Sequence, residues 1–176
     1  MASIDLIVLG MIKAQPQSAY ELQKNVEYRH ISKWVKVSTP SIYKKVVQME
    51  EKGYISGVAV RDGKMPEKTV YRITDAGERR FTELMTETAG RPVRLFLDFN
   101  AVIMSLNLVS EEQRRELLEQ IEREITGIKS ILSEKKEERK TVPLTGRTIL
   151  DQQLRLADVL EEWMRDFKEE YLNTED

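Results

Sequence analysis

Ser41, Lys44, Lys45 and Gln48 stand three and four residues apart in the run VSTPSIYKKVVQMEEKGYI. On a helix, that spacing gathers side chains on one face. Two ammonium groups beside a hydroxyl and an amide suit nucleic acid. Lysines neutralise phosphate, and short polar groups reach base edges. Tyr43 is interleaved with them, and Lys36, Ser38 and Thr39 lie just upstream. From Tyr28 to Met49 there are five basic residues (Arg29, Lys33, Lys36, Lys44, Lys45) and no acidic one. In a chain with 30 Asp and Glu, so long an acid-free run points to a phosphate-facing surface rather than an ordinary solvated helix. A second basic group follows at Arg61, Lys64 and Lys68.

The residue types that other chemistries need are missing. There is no cysteine, so there is no disulfide, thiolate nucleophile or thiolate metal ligand. His30 is the only histidine, and one histidine without cysteine makes neither a catalytic pair nor a zinc site. Acid pairs such as Glu161 and Glu162 fall on a helix surface and read as solvated charge. No phosphate-binding glycine loop and no nucleophile elbow occurs. The expectation is a protein with no catalytic residues, no metal and no cofactor.

The elements that must position the basic groups can be read locally. Thr39 before Pro40 is a helix start, with a hydroxyl N-cap and a proline where a missing N–H costs nothing. Gly53 is the stop, and Ile42, Val46 and Met49 form the buried stripe between them. Ile55 to Val60 is rich in β-branched residues, Asp62-Gly63 signals a turn, and Thr69 to Thr74 alternates again. The result is a β-hairpin whose tip carries Arg61, Lys64 and Lys68. Upstream, Ile4 to Ile12 is almost continuously apolar, and Ser18-Ala19-Tyr20-Glu21 is a capping box that opens another helix. Three helices and a basic hairpin form a winged helix-turn-helix, which presents one helix to the major groove and the hairpin to the flanking backbone. Trp34, after the second helix, is expected in the core of this domain.

Net charge −2 hides an asymmetry. Residues 1–88 hold 14 Lys and Arg against 11 Asp and Glu, whereas residues 89–176 hold 14 against 19. Phosphates would repel the acidic half, so the expected DNA-binding domain is residues 1–90 and residues 91–176 serve another purpose. Gly90-Arg91-Pro92 marks the boundary, and everything after it reads as helix, beginning with the apolar segment from Phe96 to Leu106. Ser110-Glu111-Glu112-Gln113 is a second capping box, opening a helix to about Lys140. On it Leu118, Ile121, Ile125, Ile128 and Leu132 follow a heptad seam. A last helix is expected from about Arg147 to Leu172, with Leu150, Leu154, Ala157, Leu160, Met164, Phe167 and Tyr171 on one stripe. Ile149, Leu156, Val159 and Trp163 widen that stripe beyond what one neighbouring helix covers. The reading is an antiparallel helical arm that pairs two chains, with a monomeric three-helix domain as the alternative. Trp163 and Phe167 are read as packing residues, or else as an aromatic wall for a small effector. No apolar run approaches the roughly 20 residues of a membrane span, and no signal-peptide pattern opens the chain, so a cytoplasmic protein without a membrane partner is expected.

With these residues laid out, the chain resembles the PadR family of bacterial transcriptional regulators. It is most similar to the subfamily with a long C-terminal helical domain, shared with related virulence activators. The matching segments are LIVLGMI near the start, AYEL from Ala19 to Leu22, STPSIYKKV with Tyr43, EEKGYI from Glu50 to Ile55, and VYRITDAG from Val70 to Gly77. The resemblance implies that Tyr43 lies on the recognition helix against DNA phosphate, that the wing approaches the minor groove, and that C-terminal helices pair two subunits. It implies further a repressor that a small phenolic or hydrophobic molecule releases. Three positions depart from the family pattern: Ala19 where a glycine is usual, Lys44 where a proline is common, and Glu67 in a segment usually more basic. The second alters the recognition face, so no operator sequence carries over. The competing class is a winged-helix protein–protein module on a coiled-coil scaffold, which would lack a basic recognition face.

Overall fold

A computed structural model of the chain describes residues 2–35, 37–38, 40–61, 67–138 and 141–173. Lys36, Thr39, the Asp62-Gly63 turn, Lys64 and Lys140 lie outside the described residues. The contacts fall into two compact units, residues 1–93 and 94–176.

The first unit begins with α1 (Ala2–Ala14), whose Val8, Leu9 and Ile12 are buried. Next comes β1, the two residues Gln17–Ser18, then α2 (Ala19–Tyr28). Ser18 and Glu21 form the reciprocal capping box: the Ser18 N–H donates to Glu21 Oε2 at 2.7 Å, and the Glu21 N–H donates to Ser18 Oγ at 3.3 Å. A short 3-10 turn (Ile31–Lys33) leads to α3 (Pro40–Glu51), which buries Ile42, Val46 and Met49 as one stripe. Gly53 ends α3 with φ +69°. Its N–H donates to Glu50 O (2.8 Å) and the Tyr54 N–H donates to Met49 O (2.9 Å), the Schellman pattern that closes a helix.

Strands β2 (Ile55–Val60) and β3 (Lys68–Ile73) pair antiparallel from Ile55↔Ile73 to Val60↔Lys68. Strand β1 adds to the other side of β3, giving the sheet order β1-β3-β2. No sequence pattern announced β1; two residues carry no periodicity, and only pairing with β3 makes them a strand. Thr74 then caps α4 (Asp75–Ala89), accepting from the Gly77 N–H, while its hydroxyl donates to Gly53 O at 2.7 Å. Leu84 of α4 closes the core formed by α1, α2, α3 and Ile55.

The second unit corrects the expectation of helix from its first residue. Pro92 lacks an N–H and biases Arg91 away from helical backbone, and residues 92–97 are not helical. Helix resumes only in the single turn α5 (Asn100–Ile103) and a 3-10 turn (Leu106–Leu108). Two long helices follow, α6 (Glu111–Glu138) and α7 (Leu144–Asn173). The second capping box forms, with the Gln113 N–H donating to Ser110 Oγ at 3.3 Å. Ion pairs Lys136–Asp151, Lys129–Asp158 and Lys168–Glu122 step in opposite directions along the two helices, so α6 and α7 run antiparallel.

Leu118, Ile121 and Ile125 pack on Met164, but the heptad seam is interrupted at Ile128, which is exposed, and Leu132 is half-buried. The broad stripe of α7 divides. Ala157 and Met164 are buried, and Leu150, Leu154, Leu160, Phe167 and Tyr171 are half-buried. Met164, Leu160, Phe167 and Tyr171 belong to the cluster with α6, so they serve the hairpin within one chain. The apolar side chains of α7 that stay exposed are Leu156, Val159 and Trp163, beside that stripe, with Leu144 at the helix start. No helix among the described residues is long and apolar enough to cross a membrane.

Candidate nucleic-acid interface

Helix α3 is held from below by its apolar stripe, which fixes what faces outward. At about 100° per residue, Lys44 lies nearly opposite the Ile42–Val46–Met49 stripe. Lys44 is exposed, as are Tyr43 and Val47 on the adjoining flank. Gln48 and Ser41, on the other flank, are half-buried. The Ser41 N–H and hydroxyl both donate to Ser38 O, so this serine is engaged with the helix start while Ser38 itself is exposed.

Lys45 corrects the sequence reading. It does not share the outer face with Lys44. Its Nζ lies 2.8 Å from Asp5 Oδ1 of α1, and only 16% of its side chain is exposed. The reason is angular: Lys45 stands roughly 60° from Ile42 around the helix, close to the core rather than opposite it. An ammonium in that position needs a carboxylate, and Asp5 supplies it.

The hairpin sits against α3 through Glu50. Its Oε1 accepts from the Gly57 N–H of β2 at 3.1 Å. Gly57 has no room for a side chain there, since a Cβ would lie 2.5 Å from Thr69 Cγ2 and 2.7 Å from Glu50 Oε1. Burial raises the Tyr71 phenol above its ordinary range, and the neighbouring Glu50 and Tyr43 add to the shift.

Arg61, just past β2, is exposed. Lys68 is not a free wing lysine. Its Nζ donates to Glu21 Oε1 at 2.7 Å, and the same carboxylate caps α2. With Lys68 and then the Ser18 N–H and hydroxyl as donors, the Glu21 carboxyl falls from 4.5 to about 2. Arg72 is a basic residue that the sequence reading did not single out. It is exposed on β3, paired across from Ser56 on the side of the sheet away from Tyr71. Strict alternation after half-buried Tyr71 is the signal that would have found it.

Trp34 also departs from expectation. It ends the 3-10 turn after Ile31–Lys33 and is 38% exposed, while Ile31 takes the buried position. In the second unit Trp163 stacks on Phe99 (ring centroids 5.8 Å) and on Phe167 (5.5 Å), and Phe167 meets Tyr171 at 5.5 Å. An open groove of about 410 Å³ lies in the same unit, but its lining is Arg115, Glu122, Arg165, Lys168, Glu169, Leu172 and Asn173, without Trp163 or Phe167. No cluster of three or more metal-ligating side chains occurs among the described residues.

Four helices, a small antiparallel sheet with a hairpin, and an exposed tyrosine–lysine pair on α3 make the first unit a winged-helix domain. Residues 8–83 match the transcriptional regulator PadR-like family. These residues, 76 of the chain's 176, carry that family's domain. Solved structures agree in fold. The chain is similar to Bacillus subtilis PadR in complex with operator DNA, with TM-score 0.81, 15% identity, and coverage of 94% of this chain and 97% of that one. The same protein with p-coumaric acid gives TM-score 0.75 at 14% identity, covering 93% and 92%. The Vibrio cholerae virulence activator AphA gives TM-score 0.69 at 18% identity, covering 96% and 97%. Among curated proteins no sequence matches.

Proposed function

We propose that this regulator binds duplex DNA sequence-specifically as a homodimer, with α3 in the major groove and the hairpin on the flanking backbone. Tyr43 and Lys44 are the contacts to phosphate, Gln48 is the base reader, and Arg61 and Arg72 serve the wing. The observation that carries this is the outer surface of α3. From Pro40 through Gln48 it presents exposed Tyr43, Lys44 and Val47 with no acidic side chain. A protein-contact module has no need of such a surface, whereas a polyanion does. Bacillus subtilis PadR, solved with operator DNA, has the same fold over nearly the whole chain. Homodimerisation rests on the exposed stripe Leu156, Val159 and Trp163.

The finer reading is a repressor released by a small hydrophobic or phenolic effector. Its support is twofold: a structural neighbour was solved with p-coumaric acid, and a row of four aromatic rings runs from Phe99 to Tyr171. Release requires only that the effector prefer the arrangement that cannot bind DNA, typically by about 1–3 kcal/mol. The test is a gel-shift selection from the organism's genomic fragments, repeated with phenolic acids. Retention of particular fragments that a phenolic acid abolishes is expected. Fragments retained regardless of every such compound would remove the effector, and no retention would remove DNA binding.

A further inference from the structure

Two of the lysines that a count of positive charge assigns to DNA are already paired inside the domain. Lys45 of α3 faces Asp5 of α1 at 2.8 Å, and Lys68 of β3 faces Glu21 of α2 at 2.7 Å. We propose that Asp5 and Glu21 are specificity-setting residues. By holding Lys45 and Lys68 in intramolecular ion pairs, they withhold both lysines from sequence-independent contact with phosphate. The inference rests on the DNA-binding reading above.

The geometry of Glu21 is the decisive observation. Its two oxygens are divided: Oε2 accepts from the Ser18 N–H at 2.7 Å and the Ser18 hydroxyl at 2.8 Å, and Oε1 faces Lys68. The capping box therefore fixes the carboxylate in place, and a fixed partner costs little further ordering when the lysine docks on it. Both members remain accessible, with 48% of Lys68 and 41% of Glu21 exposed, so this is no buried structural pair. It stands where β3 enters the hairpin, so an unpaired Lys68 would add a cation to the wing. A lysine answered by a carboxylate displaces no counterion from DNA and adds nothing to non-specific affinity. Lys45 is held more firmly, since 16% of its side chain and 27% of that of Asp5 are exposed. Lys44, Arg61 and Arg72 are exposed and make no ion pair among the described residues, so they stay available to phosphate.

The experiment uses the intact chain, a fluorescent duplex of random sequence, and anisotropy titrations over a roughly fourfold range of NaCl, from about 50 to about 200 mM. Glu21→Gln is decisive, because the glutamine carbonyl still accepts from the Ser18 N–H and keeps the cap while removing the charge. Freeing one lysine steepens the slope of log K against log salt by about 0.9 per bound chain and about 1.8 for a dimer. Across a fourfold change in salt that is roughly a twelvefold larger loss of affinity than in the unsubstituted protein. Glu21→Gln with Lys68→Gln returns the slope to the starting value. Asp5→Asn, alone and with Lys45→Gln, repeats the comparison for the second pair. A merely structural role for Glu21 would lower the melting temperature and leave the slope unchanged. An unchanged slope in folded Glu21→Gln overturns the proposal even if Asp5→Asn fails to fold. If the unsubstituted protein shows no salt-dependent binding, the DNA-binding reading falls instead.

Discussion

Gly77 and Gly127 are both helical glycines, and replacing each with alanine should change stability in opposite directions. A Cβ on Gly77 would lie 2.0 Å from Tyr54 O, 2.7 Å from Ile73 Cγ1 and 3.0 Å from Tyr54 C. The obstacle is backbone, and it cannot rotate away. Tyr54 O accepts from the Thr74 N–H (3.1 Å) and from the Thr74 hydroxyl (3.1 Å), so moving it disturbs the cap of α4. Overpacking costs about 1–3 kcal/mol, a lost cap about 1, and alanine's helix propensity returns about 1. The net expectation is a loss of roughly 1–3 kcal/mol. For a unit of this size that is a fall of about 4–24 °C in the first unit's melting temperature. At Gly127 on α6 nothing lies within 4 Å of the place a Cβ would take, so alanine should gain about 0.5–1 kcal/mol for the second unit. Circular dichroism melts of the intact chain, with urea titration to separate the units, read both. A Gly77→Ala protein as stable as the parent would refute the packing of α4 against Tyr54 and against Ile73 of β3.

The neighbouring lysines of α3 should part company. Lys44→Ala is expected to lower affinity for all duplexes alike and to reduce the salt slope by about 0.9 per chain, whereas Lys45→Ala leaves the slope unchanged and destabilises the fold by about 1–2 kcal/mol by stranding Asp5. Titrating both variants by anisotropy and urea unfolding separates the two effects. The Glu21 carboxyl is depressed in the folded chain, from 4.5 to about 2, so its contribution is present above pH 4.5 and is lost as the pH falls from there toward 2. Melting temperature against pH should therefore drop more steeply over that window in the parent than in Glu21→Gln, and parallel curves would contradict the Lys68 and Ser18 contacts. On α7, Val159→Asp should yield monomer in sedimentation velocity without unfolding the helices, because Val159 is 61% exposed. Met164→Ala, at a fully buried position, should instead cost about 2–5 kcal/mol of the second unit's stability.

What could be read from the sequence was what local chemistry decides. Ser18 and Glu21, Pro40 and Gly53, and Ser110 and Gln113 each act within a few residues, and each helix end falls where they place it. What could not be read was decided by partners far along the chain. Asp5 and Lys45 are 40 positions apart, Glu21 and Lys68 are 47 apart, and no pattern in either segment announces the pair. Lys45 was still partly legible, since its angle from Ile42 argued against an outward position. The exposed Val93, Leu95 and Phe96 mark a different limit. The sequence after Pro92 read as helix, but Pro92 breaks the backbone pattern and the single chain leaves these side chains uncovered.

The central claim is that the outer face of α3 reads duplex DNA. The most direct measurement is the affinity of the parent and of Gln48→Ala for a retained genomic fragment, scanned with single base-pair substitutions at fixed salt. The parent should lose about 1–3 kcal/mol at a base pair where Gln48→Ala is indifferent, and half-sites should repeat at about 34 Å or a multiple of the helical turn. Equal sensitivity of both proteins at every position, or binding that no base substitution alters, would contradict it.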